Sequence, residues 1–245
     1  IKRCNRRSAS AGAWINLDKW RRCSKDVPLE ELEGHPCWAA LDLASTQDFT
    51  SFRLLWNVDG LWVTKGFRWV PQRAVDHRAM KGFTQYQQWV ESGDLTVTQA
   101  HGGEHTDYEE VEAIVREYAD RFSPKWIAYD KWNAMEIATR LDADGYPMIE
   151  FQQNTKSFHP AMQALERAYM AGNLAHGDDP VLTWCASNIV AYRDVNMCMK
   201  PDKRNSADKI DDMAALLMAF GIAQQPEEPT PVSPWESEDF RMQTI

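Results

Sequence analysis

Two short apolar segments of this chain each end in an aspartate, and a third aspartate opens a long apolar segment. Asp42 and Asp130 each follow four apolar residues, and Asp211 lies at the start of an amphipathic pattern that runs to Phe220. Short apolar runs are typical of buried strands, and the longer pattern predicts a helix. A carboxylate at the carboxyl end of a buried strand is held at the rim of a sheet. The pattern therefore predicts an α/β fold with acidic side chains gathered at one edge.

Three carboxylates brought together would repel one another strongly unless a cation lay among them. Hard oxygen ligands of this kind suit Mg²⁺ or Mn²⁺. A single aspartate after a strand is more often a turn residue or a helix cap, so the prediction of a metal site depends on all three together. Asp211 and Asp212 are adjacent, and on a helix they point about 100° apart. Only one of them can face the site; Asp211 is preferred and Asp212 remains the alternative.

The composition is that of a globular protein with reduced thiols. The chain has 245 residues, of which 44% are apolar, which is enough for one domain with a sizeable core. No segment approaches the roughly 20 apolar residues that a membrane span needs, so no membrane association is expected. The five cysteines form no CxxC pair, which favours free thiols over a disulfide framework or a zinc site.

Charge is distributed unevenly along the chain. Residues 1–25 carry eight Lys or Arg and one Asp, residues 224–245 carry five acids and one Arg, and the net charge of the whole chain is −9. The central part, 26–223, therefore has a net charge of −12. Such an acidic body is compatible with a nucleic-acid partner if divalent metal neutralises part of it and local basic patches hold phosphates.

Periodicity and turn residues predict alternating strands and helices. Asp59-Gly60 predicts a tight hairpin between the second and third strands, the sequence from Thr106 to Glu109 predicts a capping box, and Asp179-Pro180 and Ser206 predict two further helix starts. Strands are predicted over 38–44, 52–58, 61–69, 95–99, 125–129 and 147–152, a hairpin over 189–200, helices over 71–80, 83–92, 106–122, 133–144, 158–169 and 206–223, and one further helix that begins at 180.

The chain divides into three parts by composition. Residues 1–35 are basic and contain tryptophan, which indicates a linker or docking arm. Residues 36–223 carry the α/β pattern of one domain. Residues 224–245 are rich in proline and acid, so this tail is expected to be disordered.

The order of elements, three antiparallel strands and then parallel strands flanked by helices, matches the ribonuclease-H-like mixed sheet. Four motifs in order resemble the C-terminal nuclease domain of the tailed-bacteriophage terminase large subunit, and 14–20 resembles the segment that joins this domain to the family's ATPase domain. The motifs lie at 41–50, at 129–134, at 174–188 with His176, and at 209–219. No G-x-x-x-x-G-K-[ST] motif occurs in this sequence, so the chain is not the packaging motor by itself.

The resemblance implies an endonuclease that cuts double-stranded, concatemeric viral DNA during genome packaging. It implies hydrolysis with two Mg²⁺ or Mn²⁺ ions, with Asp42, Asp130 and Asp211 as the catalytic metal ligands and Asp42 as the bridging one. The implied partners are an ATPase domain on the same polypeptide, the small terminase subunit and the portal protein of the procapsid. The implied location is the cytoplasm of the infected bacterium, and this chain would be part of a longer protein.

Further residues are accessory candidates. Asp48 can reach the metals from the turn after the first strand, although a turn role is more common for such an aspartate. His176 is a candidate ligand, proton shuttle or phosphate contact, or it orients its loop. The segment from His101 to His105 is read as a Gly-rich loop. The candidate contacts to DNA phosphates, any of which can equally be solvated surface, are Lys131, Lys200, Lys203, Arg204 and Lys209.

Two other functions fit the same fold. Another ribonuclease-H-like nuclease, such as a Holliday-junction resolvase, would carry a similar acidic site but prefer branched DNA. A non-catalytic module that only binds DNA or the portal would be expected to lack one of the three carboxylates. An actin-like phosphotransferase is excluded because residues 41–50 contain no glycine for a phosphate loop.

Overall fold

A seven-stranded mixed sheet forms the centre of the computed structural model, which describes residues 13–44 and 49–225. The strands run in the order β4-β3-β2-β1-β5-β6, and β7 pairs with β3. They are β1 Cys37–Asp42, β2 Thr50–Val58, β3 Leu61–Pro71, β4 Thr96–Thr98, β5 Ile127–Tyr129, β6 Met148–Glu150 and β7 Leu174–Ala175. Strands β1 to β3 are antiparallel, whereas β5 is parallel to β1 and β6 is parallel to β5. The predicted fold class is confirmed.

The predicted hairpin between β2 and β3 is present. Val58 pairs with Leu61, and the two turn residues Asp59 and Gly60 both have positive φ, at 50° and 90°. A two-residue turn with this backbone matches the right-handed twist of the strands that it joins, and Asp-Gly is a preferred pair for it. The turn therefore fixes the register along the two longest strands.

Helices cover both faces of the sheet, and a small hairpin lies outside it. The helices are α1 Leu17–Trp20, α2 Gln72–Met80, α3 Gln85–Ser92, α4 Ala100–Gly103, α5 Tyr108–Phe122, α6 Lys131–Ala143, α7 Thr155–Ala171, α8 Pro180–Asn188 and α9 Asp211–Ala223; the hairpin strands are β8 Ala191–Arg193 and β9 Met199–Pro201. None of the helices in the described part of the chain has the length and apolar character needed to cross a membrane.

Alternation along the central strands divides the core into two layers. Ala39 and Leu41 of β1 pack in the layer that contains α5 and α6, whereas Ala40 packs in the layer that contains α7, α8 and α9. Successive strand residues point to opposite faces, so a strand covered on both sides must be apolar at every position. This explains why the first strand appears in the sequence as a continuous apolar run.

The start of α5 differs from the prediction by one residue. Asp107 caps the helix, and its Oδ1 accepts hydrogen bonds from the backbone N–H groups of Glu109 and Glu110 at 3.0 and 3.3 Å. Thr106 instead donates its hydroxyl to the carbonyl of Ala44, at 3.2 Å. The capping box predicted from Thr106 is therefore wrong, because this side chain is used to hold the segment that follows β1.

The start of α9 was also predicted incorrectly. Ser206 does not cap it: its hydroxyl donates to the carbonyl of Asp202 at 2.7 Å and accepts from the N–H of Val190 at 3.2 Å. The helix begins at Asp211. Residues 202–210 form an irregular loop attached to the β8–β9 hairpin. Three of the elements named above were not predicted: the short helix α1 in the expected linker, the short helix α4, which overlaps the expected His101–His105 loop, and the two-residue strand β7.

The described part of the predicted linker, 13–35, packs against the domain. Trp20 is fully buried, stacks on the ring of His176 with 4.7 Å between centroids, and donates its indole N–H to Thr183 at 3.2 Å. The backbone N–H of His176 donates to the carbonyl of Cys23, at 3.0 Å. Residues 1–12 of the linker and 226–245 of the predicted tail lie outside the described residues, and the three-part division of the chain remains a prediction.

We expect Trp20→Ala to lower the free energy of unfolding by about 3–5 kcal/mol, because it removes a fully buried indole and leaves a cavity. Urea unfolding of the purified chain measures this loss. The control is Trp132→Ala, which removes a side chain from a residue that is 90% exposed and should change stability by less than about 0.5 kcal/mol. Equal unfolding midpoints for the two variants would show that residues 13–35 do not contribute to the folded core.

Candidate active site

Three different elements bring the predicted carboxylates to one edge of the sheet. Asp42 is the last residue of β1, Asp130 follows β5 and caps α6, and Asp211 is the first residue of α9. Leu41 and Tyr129 are paired in the parallel β1–β5 ladder, so the two residues that follow them emerge side by side. Helix α9 packs on β1 and β2, which places its first turn beside Asp42.

The ammonium group of Lys203 lies between these carboxylates. Its Nζ is 3.6 Å from Oδ2 of Asp42 and 3.4 Å from Oδ1 of Asp211. The Asp42 and Asp211 side chains are only 4% and 9% exposed, whereas that of Lys203 is 49% exposed. The charge of Asp42, and then those of Asp211 and Asp130, raise the pKa of Lys203 above its ordinary value, although burial opposes this. The lysine is therefore the counter-ion of the cluster.

One ammonium does not satisfy this much buried negative charge. Burial raises the pKa of Asp42 to about 7; Lys203 opposes the shift, while Asp211 and Asp130 add to it. The buried Oδ2 atoms of Asp42 and Asp211 accept no hydrogen bond from any described residue. Leaving such an acceptor without a partner costs free energy. Oδ2 of Asp42 thus has only the loose ion pair with Lys203, and Oδ2 of Asp211 has no hydrogen-bond donor among the described residues.

The carboxylates are not spaced as the ligands of a metal ion. As they are placed, no three His, Cys, Asp or Glu side chains within residues 13–44 and 49–225 form a group that could hold a metal ion. The ammonium of Lys203 lies next to Asp42 and Asp211 and forms ion pairs with both. The donor chemistry therefore fits a hard cation, but the present spacing is that of an ion-paired cluster.

Asp212 faces away from this cluster into a buried ion-pair network. Its Oδ1 accepts from Nε of Arg53 at 2.9 Å and from the hydroxyl of Ser51, and its Oδ2 accepts from Nη2 of Arg53 at 2.7 Å and from Nε of Arg68 at 2.8 Å. The Asp212 side chain is completely buried. Although burial acts in the opposite direction, the two guanidinium groups hold its pKa well below the ordinary value.

Asp179 completes the network and is also the N-cap of α8, as predicted. Its Oδ1 accepts from the N–H of Leu182 at 2.9 Å, and its Oδ2 pairs with both Arg53 and Arg68. Two arginines and two aspartates thus balance in charge between β2, β3, α8 and α9. Gly66 makes room for this arrangement, because a Cβ there would lie 2.6 Å from the guanidinium carbon of Arg53.

Sequence reasoning did not identify Arg53 and Arg68. The available signal was their position, since each is a single arginine within an otherwise apolar strand segment. An arginine at such a position requires a buried counter-charge, because charged side chains are rarely buried without a partner. The sequence alone did not say which aspartates supply it.

Among the described residues, the remaining candidates make their contacts outside the carboxylate cluster. His176 is buried against the 13–35 segment, with Nε2 2.9 Å from the carbonyl of Trp20. Lys131 pairs with Glu150 at 3.4 Å. Asp48 lies outside the described residues. Lys209 lines a separate pocket of about 360 Å³ with basic residues of α2.

A cavity of about 760 Å³ opens beside the cluster. Lys200 and Arg204 line it together with Lys203, so three of the predicted phosphate contacts share one surface. The ammonium of Lys200 lies over the ring of Tyr192, 5.7 Å from its centroid. Asp194 and Asp202 also line the cavity, and Lys203 is the residue that links it to the carboxylate cluster.

Comparisons with known proteins agree on one family. The model of the terminase large subunit endonuclease domain matches residues 1–227. The large terminase subunit of Enterobacteria phage HK97 is 32% identical over 222 residues, which cover 89% of this chain and 43% of that protein. The chain thus spans less than half the length of this curated relative.

Solved structures show the same relationship. The crystal structure of the HK97 large terminase aligns with a TM-score of 0.76 at 32% identity, over 85% of this chain and 43% of that one. The large terminase nuclease of thermophilic phage G20c with bound magnesium aligns with a TM-score of 0.50 at 14% identity, over 76% of this chain and 81% of that one. The second likeness concerns the fold alone.

The adjacent pair Asp211 and Asp212 provides a direct test of the two environments. Asp212→Asn should lower the free energy of unfolding by about 3–5 kcal/mol, because it leaves Arg53 and Arg68 with an uncompensated buried charge. Asp211→Asn should cost little or stabilise, because it relieves repulsion with Asp42. Urea unfolding in the presence of EDTA measures both. An equal loss at the two positions would contradict the separation of the network from the cluster.

The raised pKa of Asp42 predicts a pH dependence. An acid whose pKa is higher in the folded state binds more protons there than when unfolded, so stability falls as pH rises from about 4 toward 7. Asp42→Asn keeps the neutral form at every pH. In EDTA, this variant should therefore gain more stability over wild type at pH 8 than at pH 5. A gain that is the same at both values would show that Asp42 titrates normally.

Proposed function

The chain belongs to the terminase large subunit endonuclease domain family, and we propose that it cuts double-stranded, concatemeric viral DNA in a divalent-metal-dependent reaction during genome packaging. The observation that carries the proposal is the position of Asp42 and Asp211 around the Lys203 ammonium, beside Asp130 at the end of the neighbouring strand, with the buried Oδ2 atoms of Asp42 and Asp211 lacking a hydrogen-bond donor. Hydrolysis of a phosphodiester at such a site requires no nucleophilic side chain.

The donor atoms of these residues indicate which metal ions the site would bind. Asp42, Asp130 and Asp211 would hold two Mg²⁺ or Mn²⁺ ions, since all their donor atoms are carboxylate oxygens. When bound, such ions activate the attacking water and stabilise the leaving oxygen. Asp42 would be the ligand shared by both ions, because it ends a strand in the middle of the sheet. Asp130 is fixed as the cap of α6.

We assign the third ligand to Asp211 rather than to Asp212. Both oxygens of Asp212 already accept hydrogen bonds from Arg53 and its Oδ2 also from Arg68, so ligation would have to break a buried ion pair. Asp212 is therefore a positioning residue, because it anchors the first turn of α9 on which Asp211 stands. His176 holds the 13–35 segment and is not assigned a chemical role.

The DNA would approach through the basic cavity beside the carboxylates. Lys200, Lys203 and Arg204 line it and can contact phosphates, while Lys131 and Lys209 are less direct candidates. Contacts of this kind position a duplex but read no sequence. Residues 26–223 carry a net charge of −12, so the isolated chain should bind DNA weakly. An ATPase domain of the same polypeptide, the small subunit and the portal would hold the duplex, in the host cytoplasm.

The first test uses the three carboxylates. Asp42→Asn, Asp130→Asn and Asp211→Asn should each reduce plasmid cleavage by more than the roughly 100-fold that loss of an outer-shell partner costs a metal site. Cleavage rates with Mg²⁺ or Mn²⁺ measure this, and circular dichroism checks the fold. The control is Asp120→Asn on α5, which removes an exposed carboxylate far from the rim. Wild-type cleavage by Asp42→Asn would refute the assignment.

The second test separates a packaging nuclease from the alternatives. The chain should nick and then linearise supercoiled duplex of any sequence with Mg²⁺ or Mn²⁺, should not turn over with Ca²⁺, and should lose activity steeply as salt rises. A Holliday-junction resolvase would instead prefer four-way junctions over linear duplex. A non-catalytic module would bind DNA without cutting under any of these conditions. Cleavage that survives EDTA would remove the metal from the proposal.

A further inference from the structure

We propose that Lys203 is a built-in cation that competes with the divalent metal for the carboxylate cluster, and that it thereby sets the metal affinity of the site. This inference rests on the proposed metal-dependent function. It adds a role for a side chain that was expected only to contact DNA phosphates. A ligand set that an internal cation already neutralises binds an external one more weakly.

The distances indicate an exchangeable pair. Nζ of Lys203 stands 3.6 Å from Asp42 and 3.4 Å from Asp211, longer than the charge-assisted hydrogen bonds of 2.7–2.9 Å that Arg53 and Arg68 make to Asp212. A single ammonium shared loosely between two buried carboxylates satisfies neither of them fully. The Oδ2 atoms of both acids have no hydrogen-bond partner among the described residues, so a cation of higher charge is favoured at the same place.

Hydrogen bonds hold the backbone next to Lys203, whereas half of its side chain is exposed. The side chain of the preceding residue, Asp202, accepts hydrogen bonds from the backbone N–H groups of Arg204 and Asn205, each at 3.2 Å, which holds the turn. The lysine has a flexible four-carbon stem, is 49% exposed, and lines the cavity of about 760 Å³. It can therefore leave the carboxylates for the cavity without any change in the fold.

Charge explains why the lysine must move. When all three carboxylates are ionised, they and the one ammonium have a net charge of −2, and a divalent ion brought among the carboxylates would lie within a few ångströms of the ammonium. Like charges at that separation repel strongly in a partly buried site. Removing the ammonium removes this repulsion and also frees the oxygens that it pairs with. The released ammonium would face the side from which a DNA phosphate enters.

The experiment is a titration of the DNA-free protein with Mn²⁺, in which free Mn²⁺ is measured by electron paramagnetic resonance. Lys203→Gln should bind Mn²⁺ at least tenfold more tightly than wild type, and Lys203→Met should do the same. Lys203→Arg keeps the positive charge and should stay near wild type or weaker. The matched control is Lys156→Gln, which removes the same charge from an exposed residue next to Thr155, a residue that lines the cavity; its affinity should not change.

Melting temperature in EDTA gives a second readout that needs no metal. Lys203→Gln should melt lower than wild type, because its three carboxylates repel one another without a counter-ion, and saturating Mn²⁺ should raise its melting temperature by more than it raises that of wild type. If Lys203 only stabilises the folded chain, the variant will melt lower but bind Mn²⁺ with wild-type affinity. That result overturns the inference, as does equal tightening by Lys156→Gln, which would indicate a general charge effect.

Asp42→Asn separates this inference from the proposed function. If Mn²⁺ binding is absent from every variant, or persists unchanged in Asp42→Asn, the metal site itself is wrong. If binding depends on Asp42 but Lys203→Gln binds no more tightly than wild type, the metal site stands and the competing role of Lys203 fails.

Discussion

Buried negative charge is the constraint on which the rest of this structure depends. Five buried or nearly buried aspartates gather around the start of one helix, Asp42, Asp130, Asp179, Asp211 and Asp212. Such groups are stable only when each has a positive partner or a hydrogen-bond donor. The chain meets this requirement in two different ways on the two sides of α9. Arg53 and Arg68 neutralise one side completely, whereas the half-exposed Lys203 only partly neutralises the other.

The neutralised side determines the geometry of the other. Arg53 and Arg68 belong to neighbouring strands, and both form ion pairs with Asp212. The same guanidinium groups pair with Asp179, the N-cap of α8. Consecutive helix residues point about 100° apart. Fixing Asp212 in the network therefore turns Asp211 toward the end of β1. The desolvation of a buried ion pair offsets much of its attraction, but here the pair specifies where the first turn of a helix lies.

The sequence correctly predicted those elements that a short local pattern determines. The Asp59-Gly60 turn fixes its own hairpin, and the apolar run before Asp42 reads as a strand because both its faces are covered. The errors have a common cause. Thr106 and Ser206 have the right chemistry for a helix cap, but their hydroxyls are used elsewhere. That of Thr106 binds the carbonyl of Ala44, 62 residues away, and that of Ser206 binds the carbonyl of Asp202 in its own loop and accepts from the N–H of Val190. Strand β7 has only two residues, too few for any periodicity to be visible.

Contacts between residues far apart in the sequence also explain why the sequence did not predict the partners of Arg53 and Lys203. An arginine inside an apolar strand indicates a buried counter-charge. The partners of Arg53, however, lie 126 and 159 residues away in the sequence. Lys203 stands in an irregular polar loop where nothing distinguishes it from its basic neighbours. Only the packing of that loop against α9 brings its ammonium to Asp42 and Asp211.

The choice of cation on each side follows from the physical chemistry of the two side chains. A guanidinium group is planar, keeps its charge under all ordinary conditions and presents donors in a fixed fork, so two arginines can satisfy both oxygens of Asp212 permanently. An ammonium is a compact charge on a flexible stem that offers no such fork. It can neutralise carboxylates loosely and leave them again. A permanent ion pair therefore lies where the helix must be held, and a looser one lies at the carboxylates that are proposed to bind metal.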